Sequence, residues 1–294
     1  MSELCDAFLE TYKLKVRSGS IKPISLKRYY FSINTLFDYD PTLSNKPLAD
    51  ITWQDFEHFK IYRLEEGFSA EGINTNLRNF RTIFNFGEAK DYLKSSPLRI
   101  VDYIKTEKQD ARYLNENEMR RLHSALEDLD LNQQFQRDAR DLVLFYLYTG
   151  ARASEALYPD FDWNCVDQNR IHFPKTKTYK GRSIPLTQRI EDVLEGRRSI
   201  TGGPFHFTIF TVYNRTKFVF EKAELDDVST HNLRKTAGAY YYMATRDIFA
   251  TSRFLGHSSV KVTESHYVGL IQSLQKEYSN LFDSILTNKL EKSR

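Results

Sequence analysis

The stretch Thr149-Gly150-Ala151-Arg152-Ala153-Ser154-Glu155-Ala156-Leu157 follows a run in which Leu142, Leu144, Phe145 and Leu147 predict an apolar helix over about 138–149. Read alone, it is a helix break followed by a first-turn Arg–Glu pair. Three later segments stand in order behind it. His231-Asn232-Leu233-Arg234 sets a histidine and an arginine three apart on one helix face. Leu255-Gly256-His257-Ser258-Ser259 reads as a helix C-cap followed by an N-cap. Tyr267 comes ten residues after His257. Taken one at a time, a solvated face, a plain cap and a buried structural tyrosine (one of 18) explain each of them.

Outward from these segments the chain divides in two. Residues 1–100 read as helices: Leu4, Phe8, Leu9 and Tyr12 recur at helical spacing, as do Tyr29, Ile33, Leu36 and Phe37. Thr52 ahead of Asp55 gives a capping-box start to a third helix ending near Glu66. Ser69 or Ala70 opens a fourth, with Ile73, Leu77, Phe80, Ile83 and Phe84 on one face. Ser95-Ser96-Pro97 closes the bundle, because proline disfavours helix at the residue before it. Residues 101–112 read as a linker, and 113–294 as a second domain. There, 169–174 and 181–186 read as short strands around the turn-like Lys177-Thr178-Tyr179-Lys180. From His231 the pattern is helical again, broken at Gly256. The expected fold class is mainly α with a small antiparallel sheet.

The bulk properties bound the function without choosing it. A chain of 294 residues suits two domains, and its 40% hydrophobic content can fill a core in each. The charged residues are mixed in sign, which speaks for a folded, solvated surface rather than a disordered tract. A net charge of +3 permits a nucleic-acid partner without demanding one. Two distant cysteines, Cys5 and Cys165, exclude a disulfide scaffold or a cysteine-rich zinc site and fit a reducing compartment. No run of roughly 18 apolar residues offers a membrane span. No signal peptide is read, so the expectation is a cytoplasmic protein with no membrane partner.

The order and spacing of the four segments resemble the tyrosine recombinase family, which includes phage integrases and the Xer-type recombinases. Its Thr-Gly-x-Arg-x-x-Glu box is matched by Thr149, Gly150, Arg152 and Glu155, its His-x-x-Arg box by His231 and Arg234, and its Leu-Gly-His box by Leu255 to His257. The family's nucleophilic tyrosine follows nine or ten residues later, at Tyr267. Its catalytic lysine lies in a hairpin turn ahead of an Ile/Val-Pro-Leu strand, which points to Lys177 before Ile184-Pro185-Leu186, with Lys175 and Lys180 as close rivals. The resemblance covers the second domain through motifs. For the first it implies a helical core-binding domain that closes over DNA; because the first helix begins at once, the arm-binding domain that some phage integrases add is not expected.

The chemistry implied is cleavage and rejoining of DNA through a 3′-phosphotyrosine. Storing the phosphodiester as a tyrosine ester splits one hard step into two and needs no nucleotide cofactor. No Gly-x-x-x-x-Gly-Lys-Ser/Thr loop and no carboxylate cluster for two metals is present, so neither cofactor nor metal is expected. Arg152 and Arg234 suit the non-bridging oxygens of a pentavalent phosphate, since a guanidinium stays charged and presents forked donors. Lys177 suits the acid that protonates the departing 5′-oxygen. His231 is assigned to the proton of Tyr267 or to the phosphate, His257 to the same phosphate, and Glu155 to orienting its neighbours. His266 is expected at the surface, and Tyr240, Tyr241 and Tyr242 in packing.

Lys175, Lys180 and Arg182 are candidates for a hairpin lying on phosphates, with Lys22, Lys27, Arg28, Arg78 and Arg81 as candidates in the first domain. Such contacts supply affinity and salt dependence. The expected partner is double-stranded DNA with paired sites, bound by a monomer that assembles into a homotetramer, with accessory DNA-bending proteins as further partners. Leu270, Ile271, Leu274, Tyr278, Leu281, Phe282 and Ile285 mark an amphipathic tail helix that docks in cis or on a neighbour. The competing readings are a type IB topoisomerase, with related residues but no defined sites, and a catalytically inactive integrase-derived DNA-binding protein.

Overall fold

A computed structural model describes residues 1–106, 112–174, 181–265, 267 and 270. The chain forms two compact units, Met1–Lys108 and Gln109–Arg294. The sequence profile of helices with one short hairpin is borne out: the described residues are mainly helical, with one two-stranded antiparallel sheet.

The first unit contains α1 (Ser2–Arg17), α2 (Pro23–Tyr39), the short α3 (Thr42–Asn45), α4 (Trp53–Glu65) and α5 (Ala70–Ala89). Its starts are those the side chains dictate. Thr52 and Asp55 form a reciprocal capping box at α4, and the hydroxyl of Ser69 accepts from the Gly72 amide at α5. The core is aromatic: Phe56 packs against Phe80 and Phe84, and Phe59 against Phe80 edge-on. Between α2 and α5 the buried Ser32 hydroxyl donates to Asn76 and accepts from Asn79, so the polar atoms are paired.

The segment after Pro97, expected to open a linker, begins as part of this unit. Asn74 pairs twice with the backbone of Ile104, donating to its carbonyl at 2.8 Å and accepting from its amide at 2.9 Å. Lys60 donates to the Asp102 carbonyl. Arg81, a DNA-contact candidate, donates to the carbonyls of Leu98 and Val101 and sits 4.2 Å from the Tyr103 ring centre. Arg78 is exposed and paired with Glu71. Lys22, Lys27 and Arg28 are exposed at the start of α2.

The second unit is built around α7 (Gln134–Thr149), which is buried on most of its surface. Preceding it is α6 (Glu116–Glu127), opened by an Asn115–Glu118 capping box. Strands β1 (Arg170–Phe173) and β2 (Arg182–Pro185) pair antiparallel, with Ile171 opposite Ile184 and Phe173 opposite Arg182. Then come α8 (Gln188–Glu195), α9 (Ile209–Lys222), α10 (Thr230–Thr245) and α11 (Ile248–Leu255). The core of this unit joins Leu142, Phe145 and Tyr146 of α7 to Phe161, Phe173, Phe205, Val219 and Leu233. At one edge Arg197 is buried between Asp138 and Asp141 of α7, donating to them at 2.6 and 2.9 Å, and Arg215 reaches Asp138 from α9.

Candidate active site

The site is assembled at helix ends. α7 stops because Gly150 adopts φ 59°, ψ 24°, the left-handed conformation in which glycine has no Cβ penalty. α11 stops in the same way at Gly256, φ 65°. Each stop leaves carbonyls at the negative end of a helix dipole with no partner in the helix. Arg234 of α10 fills both needs at once: its guanidinium donates to the carbonyl of Gly150 and, at 2.5 Å, to that of Leu255. Two of the sequence boxes thus meet on the arginine of the third.

Beyond Gly150 the chain makes a turn and not the helical first turn expected, with the Glu155 amide donating to the Arg152 carbonyl at 2.9 Å. Glu155 is largely buried and its carboxylate is shared. One oxygen accepts from the Arg152 guanidinium at 2.5 Å. The other accepts from Arg182 at 2.8 Å and from the Arg152 amide at 3.1 Å. Burial opposes ionisation of Glu155, but Arg182, the Arg152 amide and the Arg152 guanidinium outweigh it and hold the carboxyl below the usual range. Arg182 also reaches the Gly150 carbonyl, at 3.5 Å.

Arg152 and Arg182 thus flank the Glu155 carboxylate, and Arg234 lies close enough to feel the charges of all three in a largely buried place. The strain of this is visible on Arg234. Burial first, then the charges of Arg152 and Arg182, lower its guanidinium to about 9. A polyanionic oxygen cluster such as a phosphate would relieve that repulsion.

Tyr267 packs against α10 one turn beyond Arg234. It is 2% exposed, and its hydroxyl donates to the Lys235 carbonyl at 3.1 Å. Burial pushes its phenol up, so it holds its proton at neutral pH. Its ring occupies space that exists because residue 238 is glycine: a β-carbon there would lie 2.1 Å from the hydroxyl oxygen. His257 is fixed by a 2.7 Å hydrogen bond between Nδ1 and the hydroxyl of the buried Thr263. It lines a cleft of about 640 Å³ with Arg170, Arg182, Ser183 and Arg253. His231 is exposed on the first turn of α10.

The structure thus brings together Arg152, Glu155, Arg182 and Arg234, with Tyr267 against the same helix as Arg234. Lys175, Lys177 and Lys180 lie outside the described residues, as do His266 and the tail beyond Leu270. Arg182 differs from the expectation. Its side chain is 4% exposed and turned into the unit, where a surface phosphate contact would be exposed. The signal was present in the strand, since period-two alternation puts Arg182 on the same face as the buried Ile184. Gly238 was not singled out by sequence because its partner Tyr267 is distant in the chain, and Thr263, six residues after His257, because nothing in the local pattern marks it as that histidine's partner.

Residues 112–272 match the phage integrase family, and residues 2–108 match the phage integrase SAM-like domain. The chain belongs to the phage integrase family. It is 26% identical over 223 residues to the integrase of Escherichia phage P2, covering 75% of this chain but 62% of that protein. It is 24% identical over 287 residues to the tyrosine recombinase XerC of Oceanobacillus iheyensis, covering 88% of this chain and 89% of the other. A solved lambda integrase dimer bound to a COC′ core site superposes with a TM-score of 0.69 at 17% identity, over 89% of this chain and 94% of that one, which is a shared fold. Among the described residues of this integrase-family chain, no helix is long and apolar enough to cross a membrane.

Proposed function

We propose that this integrase-family chain is a site-specific tyrosine recombinase that cleaves and rejoins DNA through a covalent 3′-phosphotyrosine at Tyr267. The observation that carries the proposal is the convergence of Arg152, Arg182 and Arg234 at one place, next to a tyrosine packed on the helix that bears Arg234. A scissile phosphate entering there gains forked donors from Arg152 and Arg234, and charge accumulating on its non-bridging oxygens in the transition state gains more. Glu155 holds Arg152 in place. His257, fixed by Thr263, contacts the phosphate. His231 stands one turn before Arg234 and either contacts the phosphate or receives the phenolic proton, which burial makes hard to lose. Lys177 protonates the departing 5′-oxygen.

The substrate is duplex DNA carrying paired sites. Lys22, Lys27 and Arg28 suit backbone contacts in the first unit. Assembly into a tetramer on DNA is supported by the shared fold with lambda integrase, whose tetramer has been solved on a Holliday junction.

The test is an SDS-resistant protein–DNA adduct on nicked duplexes tiled from DNA flanking the gene. An adduct formed by the wild type and lost in Tyr267→Phe is the expected result. DNA binding without an adduct in either protein would replace the proposal with an inactive DNA-binding relative. An adduct that persists in Tyr267→Phe would move the nucleophile to another residue.

A further inference from the structure

We propose that Arg182 is a positioning residue for strand cleavage, fixing Arg152 through the Glu155 carboxylate that the two arginines share. The inference rests on the recombinase reading above, and it assigns Arg182 a role distinct from gripping the DNA backbone.

The argument begins with where Arg182 sits. It opens β2, opposite Phe173 in the register of the sheet, and its guanidinium carbon lies 4.1 Å from the centre of that ring. The strand and the aromatic face hold it on two sides. Burying a guanidinium is costly unless a carboxylate and further hydrogen bonds meet it. Glu155 meets it at 2.8 Å, and the Gly150 carbonyl adds a long contact at 3.5 Å. Its buried Nε has no hydrogen-bond partner among the described residues. A side chain selected only to touch DNA phosphates has no reason to accept this burial.

What the burial achieves lies on the other side of the carboxylate. Arg152 stands on a turn with its side chain 20% exposed, whereas Arg182 stands on a strand with its side chain 4% exposed. A group borne on a strand is held more closely than one on a loop. Arg182 therefore sets the place and plane of the Glu155 carboxylate, whose other oxygen then aims the Arg152 guanidinium. Without Arg182, the carboxylate is free to turn fully toward Arg152 and draw it off the phosphate.

The test uses the full chain and single-turnover cleavage of a nicked duplex carrying the site mapped with wild type, at saturating DNA. Arg182→Met keeps the apolar stem over Phe173 and removes the charge, and Arg182→Lys keeps the charge with a single donor head. The expected result for Arg182→Met is cleavage on the order of a hundredfold slower, the scale of an error of about 1 Å in a reacting group. Its DNA affinity keeps the wild-type salt slope, because Arg182 makes no direct phosphate contact, and Arg182→Lys recovers part of the rate. Glu155→Gln is also slow, and the double variant Glu155→Gln/Arg182→Met is no slower than the worse single one, because the two act as a unit. Thermal melting of each variant, with intact DNA affinity, shows that the fold is kept.

A wild-type cleavage rate in Arg182→Met overturns the inference. So does weaker binding with a salt slope reduced by about one and an unchanged rate, the behaviour of a phosphate contact. Additive losses in the double variant overturn it too, since Arg182 would then act independently of Glu155. These outcomes leave the Tyr267 adduct, and with it the recombinase reading, intact. Absence of any wild-type adduct overturns both.

Discussion

The phenol of Tyr267 lies over the bare α-carbon of Gly238, so closely that a β-carbon at that position would come within 2.1 Å of the hydroxyl oxygen and 2.7 Å of a Leu255 methyl. Real β-carbons do not approach other atoms so closely, so alanine at 238 must displace the tyrosine. In a helix interior alanine is itself favoured over glycine by about 0.8–1.0 kcal/mol. Gly238→Ala is therefore expected to keep α10 and lose adduct formation on nicked DNA. Circular dichroism alongside the adduct assay checks this, and an undiminished adduct would show that Tyr267 reacts from a position away from Gly238.

Arg152 and Arg234 are expected to matter in the transition state more than in binding. Removing one well-placed donor of this kind costs about 2.7–4 kcal/mol of barrier, or on the order of a hundredfold or more in rate. Arg152→Ala and Arg234→Ala should each show that loss in single-turnover cleavage at saturating DNA. A near-wild-type rate in either would remove that residue from the mechanism.

Lys177 is tested by changing the leaving group. A 5′-bridging sulfur departs without a proton, whereas oxygen needs one. Lys177→Ala should be slow on ordinary DNA and restored on the sulfur-bridged duplex. Restoration of a Lys175 or Lys180 variant instead would move the acid to that lysine.

The buried network at Arg197 predicts a stability effect remote from the chemistry. Asp138 and Asp141 share that guanidinium, and all three side chains are nearly inaccessible. Burial already raises the Asp141 carboxyl, against the pull of Arg197. Arg197→Met leaves the two carboxylates with the more exposed Arg140 and Arg215 and with the Gln134 amide on Asp138, and should cost about 3–5 kcal/mol of unfolding free energy at neutral pH. Without Arg197 the Asp141 carboxyl is raised further, so the deficit of the variant should shrink as pH falls and that group takes up its proton. Urea melts at pH 5 and pH 7 decide this, and a deficit independent of pH would mean the loss is one of packing.

Local signals were legible to the extent that local physics made them. The Thr52–Asp55 start, the end of α7 at Gly150 and the end of α11 at Gly256 depend on hydrogen bonds within a few residues. Pattern failed where a helix is apolar on more than one side. α9 buries Val212, Thr216, Val219 and Phe220, but Ile209, Phe210 and Tyr213 are exposed on it, so no clean stripe marked it as a helix. It nonetheless packs along α7 in the core of the second unit.

What the amino-acid sequence determined by itself was the order and spacing of Arg152, Glu155, His231, Arg234, His257 and Tyr267, and the helix stops that precede two of those boxes, because such features depend on residue type and on neighbours along the chain. Which carbonyls Arg234 caps, that Arg182 faces inward to share Glu155, and that Tyr267 needs a glycine at 238 were decided only by the tertiary structure. Those relationships join residues from 21 to 84 positions apart. Their energy comes from burial and from the pairing of charges that burial makes obligatory, and neither exists until the helices have packed.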